Sequence, residues 1–198
     1  MSAAIIRAAV IQDASVLFDL HATLARFERL TAEAAQGGAE LVLFPEAFLG
    51  GYPQGMTLGA VLGSRTERSR DLYRRCWESS LEIGSPEFDR VAAAAATSRI
   101  HLAVGVIERD GGTLCCTALI FGPHGQLLAK HQKLVPTAAE RLVWGRGDGS
   151  TLPVVQTSVG RLDAVMCWES YMPFLRTSMY AKGIEIYLRL PRTISTPG

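Results

Sequence analysis

Apolar and polar positions along the chain alternate in blocks that predict strands and helices in turn. Residues 5–11 are a short apolar run rich in β-branched side chains, which predicts a buried strand. From 16 to 36, Leu17, Leu20, Leu24, Phe27 and Leu30 recur at three- and four-residue steps, the stripe of an amphipathic helix capped by Asp13 or Ser15 and ended by Gly37-Gly38. Residues 39–44 are again apolar and stop at Pro45, completing a strand–helix–strand unit. A glycine-rich loop over 49–63 leads to a charged surface helix over 65–80 with Leu72, Tyr73, Cys76 and Trp77 on one side. Pro86 opens a further helix over 86–98. Strands over 101–108 and 113–121 join through Asp110-Gly111-Gly112, a hairpin signal, and Pro123-His124-Gly125 turns the chain into 126–131. A second hairpin pairs 154–157 with 161–166, a helix covers 174–182, and a last strand covers 184–188. The fold class is therefore α/β.

Composition narrows the picture. The chain has 198 residues, which suits one domain or slightly more. A hydrophobic fraction of 48% with 20% charged residues marks it as globular. The net charge of +1 offers no electrostatic case for nucleic acid or an anionic membrane. His21, His101, His124 and His131 are scattered, and no Cys/His spacing resembles a zinc site, so no metal is expected. Cys76, Cys115, Cys116 and Cys167 form no C-x-x-C pair, and the adjacent Cys115 and Cys116 should face opposite sides of a strand. With no secretory signal or membrane-length apolar run in view, a reducing cytoplasmic location is expected.

Four positions are candidates for chemistry. Cys167 ends an apolar run just before a helix, where the helix's positive end would favour the nucleophilic thiolate. The alternative is a buried structural cysteine. Glu46 directly follows a buried strand, in the crevice where α/β sheets bind ligands, with Phe44, Phe48 and Tyr52 as apolar walls that suit a general base. Lys130 and Lys133 compete as a cation, with a solvated basic rim as the alternative. Glu140 follows seven residues after Lys133 and stands beside Arg141, with which it would otherwise form an exposed pair. The run Gly145-Arg146-Gly147-Asp148-Gly149 lies between no strand and helix, so it is not a phosphate loop.

Three blocks together resemble the nitrilase superfamily, the carbon–nitrogen hydrolases. They are Phe44-Pro45-Glu46 with Gly51-Tyr52-Pro53, then the run from Lys130 to Arg141, then Cys167-Trp168-Glu169. Cys-Trp-Glu, preceded by Trp144-Gly145 and Gly147-Asp148-Gly149-Ser150, looks like the nitrile- and cyanide-hydrolysing branch. The resemblance spans about 5–188 and implies a four-layer α-β-β-α sandwich. It makes Cys167 the nucleophile, Glu46 the base, Lys133 the cationic stabiliser and Glu140 its support. Tyr52, Trp168 and Glu169 would lie against substrate, Glu169 and His131 as neighbours of the site without a direct chemical role.

The reaction so implied is thiol-dependent hydrolysis of a nitrile to a carboxylic acid and ammonia, without a cofactor. An amide hydrolase is the near alternative. The expected partners are a small nitrile and further copies of the chain in a homo-oligomer. The family pattern continues past residue 188, whereas 189–198, with two arginines and two prolines, reads as a divergent tail. Residues 1–188 would then be the N-terminal portion of one domain whose C-terminal part is missing. Strands over 104–107 and 119–121 would lie uncovered, leaving a self-associating remnant as the non-enzymatic reading.

Overall fold

The computed structural model describes residues 5–60, 63 and 66–192. A six-stranded sheet carries β1 (Ala8–Val10), β2 (Leu41–Leu43), β4 (His101–Asp110), β5 (Thr113–Phe121) and β6 (Leu127–Gln132) in that order. The two-residue β3 (Leu81–Glu82) pairs with the far end of β4. β1, β2 and β4 run parallel, and β4, β5 and β6 are antiparallel. A second sheet is ordered β7 (Val155–Thr157), β8 (Gly160–Met166), β9 (Ile186–Leu190), with β8 and β9 parallel.

Period-two alternation assigns each strand face. Leu102, Val104 and Val106 of β4 and Leu119 and Phe121 of β5 pack under α1 (Leu20–Gln36) and α3 (Pro86–Ser98) through Leu24, Phe27, Val91 and Ala95. On the opposite face, Ala103, Ile107, Cys116, Ala118 and Ile120 meet Leu162, Ala164, Met166, Leu188 and Leu190 of the second sheet. The outer face of that sheet is covered by α4 (Pro173–Ala181), where Leu175 and Met179 pack on Val165. The layers are therefore helix, sheet, sheet, helix, as the resemblance implies. α2 (Glu67–Glu78) runs over the rim and buries only Cys76.

Several expectations are corrected. The strands over 104–107 and 119–121 are not uncovered: Val104, Val106, Ile107, Leu119 and Phe121 are fully buried, because β8 and β9 cover one face and the helices the other. β1 is an edge strand with Val10 57% exposed, not a buried one, since only β2 flanks it. α1 begins at Leu20, where Asp19 accepts a hydrogen bond from Ala22 N at 2.8 Å. Residues 16–18 form a turn instead, with Phe18 at φ 61°. The tail does not start at 189: β9 continues to Leu190, and Arg192 bridges to Glu46. Residues 193–198 lie outside the described residues. Among the described residues no helix is long and apolar enough to cross a membrane.

Candidate active site

Glu46 is set by the end of β2. Phe44 N donates to Ala103 O at 2.8 Å and Pro45 O accepts Gly105 N at 3.2 Å, and the chain then passes over Gly105 of β4. Glu46 N donates to Pro191 O at 2.8 Å, so the two sheets meet at this residue. The crossing depends on Gly105. A Cβ there would stand 2.5 Å from both Glu46 Cα and Pro45 O, closer than any side chain tolerates. Gly105→Ala is therefore expected to push Glu46 out of place, costing about 1–3 kcal/mol and most of the activity. A urea midpoint and activity both like wild type would contradict this.

Lys133 lies just past β6, where its N–H donates to Cys116 O at 2.8 Å. Its Nζ donates to Glu46 Oε1 at 2.5 Å and to Glu140 Oε2 at 2.9 Å. All three side chains are buried or nearly so. Lys130 points elsewhere and pairs with Glu108 at 2.5 Å and Asp110 at 3.5 Å, so of the two lysines it is Lys133 that reaches Glu46 and Glu140. Glu140 does not pair with Arg141, whose Nε donates to Pro136 O at 3.0 Å. Instead Glu140 sits in the 3₁₀ turn Ala138–Leu142, accepts Thr137 N at 2.6 Å, and accepts Tyr52 Oη–H at 2.7 Å. Tyr52 in turn stands edge-on to Trp144 at 5.5 Å and beneath the Arg192 guanidinium at 5.4 Å.

Charges in this cluster perturb one another. Burial raises the Glu46 proton affinity above its ordinary value, against the opposing pull of Lys133. Burial works against the Lys133 ammonium, but the facing Cys116, Glu46 and Glu140 more than offset it, so its pKa moves upward. Perturbed ionisable groups held together in this way tend to cluster at functional sites.

Cys167 follows β8 directly, on a bend with φ 48° that opens the 3₁₀ turn Cys167–Tyr171. That conformation is strained for a residue with a Cβ and turns the thiol off the strand. Cys167 is partly exposed, whereas the other three cysteines are buried. α4 starts at Pro173, where the sequence places it, but the expected lowering of the thiol pKa does not follow: burial together with the Glu46 charge raises the Cys167 pKa, with Lys133 and the Trp168 N–H pulling the other way. The thiol therefore needs a base. A cavity of about 370 Å³ reaches Cys167 and is lined by Tyr52, Glu140, Leu142, Trp144, Trp168 and Arg192 among others.

Of the expected substrate contacts, Tyr52 and Trp168 line the cavity and Glu169 does not. Glu169 is fully buried, accepting Leu134 N at 2.7 Å and Met166 N at 3.0 Å, with His131 Nε2 3.2 Å away. It ties the segment after Lys133's neighbourhood to the strand end before Cys167. Glu169→Ala would strand the buried Met166 N–H at about 1–3 kcal/mol and the part-buried Leu134 N–H at less. The urea midpoint should fall and KM should change little. A raised KM at unchanged stability would instead make Glu169 a substrate ligand. The glycine run packs against the end of β6, Gly147 N donating to Lys133 O at 2.8 Å, so it is a structural brace.

The family model for carbon-nitrogen hydrolase matches residues 7–197. The chain belongs to the carbon–nitrogen hydrolase family. Within this family it is 53% identical, over 92% of its length, to the bifunctional nitrilase/nitrile hydratase NIT4A of Nicotiana tabacum. It is 50% identical to nitrilase 3 of Arabidopsis thaliana, again over 92% of its length. The chain spans about half the length of these curated relatives, 52% and 53% respectively. In fold it is similar to an amidase from Nesterenkonia sp., with a TM-score of 0.72 at 21% identity, covering 94% of this chain and 64% of that one. The family thus agrees with the resemblance carried by the three sequence blocks.

Proposed function

We propose that this chain carries the machinery for thiol-dependent hydrolysis of nitriles to carboxylic acid and ammonia. The observation that carries the proposal is Lys133 Nζ held between Glu46 and Glu140, the last of which lines the cavity that opens on Cys167. Nitrilase relatives near 50% identity support the nitrile as substrate.

The steps follow from the groups present. Glu46 takes the Cys167 proton as sulfur attacks the nitrile carbon. Negative charge develops on the nitrile nitrogen, and the Lys133 ammonium stabilises it. The proton passes from Glu46 to that nitrogen, leaving a covalent thioimidate. Glu46 next deprotonates a water that adds to the thioimidate carbon, and the tetrahedral intermediate expels ammonia to give a thioester. A second water releases the carboxylic acid and restores the thiol. Two waters are consumed for each nitrile. If the tetrahedral intermediate expels the thiol instead, the product is an amide, in keeping with the bifunctional name of the tobacco relative. Glu140 holds Lys133 and Tyr52 in place throughout.

The test is an ammonia-release screen over nitriles and amides, with amide formation followed in parallel and Cys167→Ala as control. Cys167-dependent ammonia from nitriles supports the proposal. Turnover of amides alone would make the chain an amidase, and no turnover at all would reject catalysis by this chain. The proposal extends to assembly as a homo-oligomer, since Trp168, Tyr171, Phe174 and Tyr180 are each more than half exposed near one another in sequence. Size-exclusion chromatography should show a species larger than the monomer, and a monomer at all concentrations would contradict self-association.

A further inference from the structure

Cys116 takes no part in the steps above, yet it touches the group at their centre. It lies on the inward face of β5, fully buried, with Sγ 3.3 Å from Glu46 Oε1. That oxygen is the one Lys133 Nζ reaches at 2.5 Å. The same sulfur is 3.5 Å from Met166 Sδ, in the residue just before Cys167, and the Cys116 carbonyl accepts the Lys133 N–H. One residue therefore contacts the carboxylate, the backbone of the lysine and the floor beneath the nucleophile. A carboxylate oxygen is a far better acceptor for a thiol hydrogen than a thioether sulfur, so the S–H is directed to Glu46.

We propose that Cys116 is a positioning residue for Glu46, its S–H holding Oε1 and so fixing the carboxylate's orientation toward Cys167. Burial, with the Glu46 charge adding to it, keeps Cys116 protonated well above its ordinary range, so it remains a donor wherever Glu46 works as a base. The base role of Glu46 is taken from the proposed function, but the contact itself is not. Other titratable groups that act on Glu46 include Lys133 beyond β6, Glu140 in the 138–142 turn, Tyr52 in the loop after β2 and Cys167 beyond β8. Beyond β9 the Pro191 carbonyl accepts the Glu46 N–H.

A donor to a carboxylate favours its charged form, so removing it raises the proton affinity of Glu46. The pH dependence of kcat/KM for ammonia release should therefore distinguish three variants. Cys116→Ala is expected to move the acidic limb up by about one unit, a tenfold loss at a fixed pH on that limb, with KM little changed. Cys116→Ser keeps a donor and should bring the limb back toward wild type. Cys115→Ala, on the opposite face of β5, should leave it in place. An unmoved limb in Cys116→Ala, or equal shifts in the Ala and Ser variants, would overturn the proposal and leave Cys116 as packing. Two readouts need no turnover. In the same variants, the rate of Cys167 alkylation against pH should show the same displacement. In the infrared, the Cys116 S–H stretch, assigned by its loss in Cys116→Ser, should move to higher frequency in Glu46→Gln as the acceptor weakens. A band that does not move would refute the hydrogen bond, even where Cys116→Ala fails to fold. If the wild-type chain hydrolyses nothing, the proposed function fails while these two measurements still decide the role of Cys116.

Discussion

Lys133→Ala is expected to lose both turnover and stability. Turnover should fall by about 10²–10³-fold or more, the cost of removing one electrostatic stabiliser of the developing charge. Lys133 is also the shared partner of two carboxylates, one fully buried, so stability should fall by about 3–5 kcal/mol, the usual penalty for stranding a buried charge. Part of that deficit should disappear in acid, because Glu46, whose proton affinity is already raised, becomes neutral and needs no counter-charge. Lys130→Ala is the comparison. It should leave kcat/KM unchanged, since Glu108 lies away from the cavity and keeps Thr117 Oγ1 at 2.7 Å and Gln132 Nε2 at 3.1 Å. Urea denaturation with steady-state kinetics on both variants provides the test. Equal activity losses would contradict the assignment of Lys133.

Cys167→Ala should abolish ammonia release, on the order of 10⁵-fold, with the urea midpoint nearly unchanged. The residue is partly exposed, so little packing is lost. Brief alkylation of the wild-type chain should label Cys167 before the others. Cys76 and Cys115 are buried, and that burial pushes each thiol up to about 11. Preferential labelling of Cys115 or Cys116 would place the reactive thiol elsewhere.

The elements themselves were legible where periodicity ran long. The stripe of Leu20, Leu24 and Phe27 names the buried face of α1, and the apolar runs over 101–108 and 113–121 name their strands without telling one face from the other. β3 left no signal because two residues carry no period. The covered state of 104–107 could not be read either, since it depends on how far β8 and β9 lie over the larger sheet. Within the site, Glu46 and Cys167 were visible because each ends an apolar strand. Only the family resemblance favours Lys133 over Lys130 in the sequence, because the residues alone do not show the pairing of β6 with β5 that turns Lys130 toward Glu108. Cys116 was indistinguishable from Cys115 for the same reason. The bracing position of Glu169 is not legible because two of its partners are main-chain N–H groups, which every sequence contains and none advertises.

The central claim is that Cys167 forms a covalent bond to a nitrile carbon under the influence of Glu46 and Lys133. Intact-protein mass spectrometry during turnover, followed by peptide mapping, tests it most directly. The expected result is a gain equal to the mass of the nitrile, or of its acyl group, carried on the peptide containing Cys167 and absent from Cys167→Ala. An adduct on another residue, or ammonia release that persists in Cys167→Ala, would contradict it.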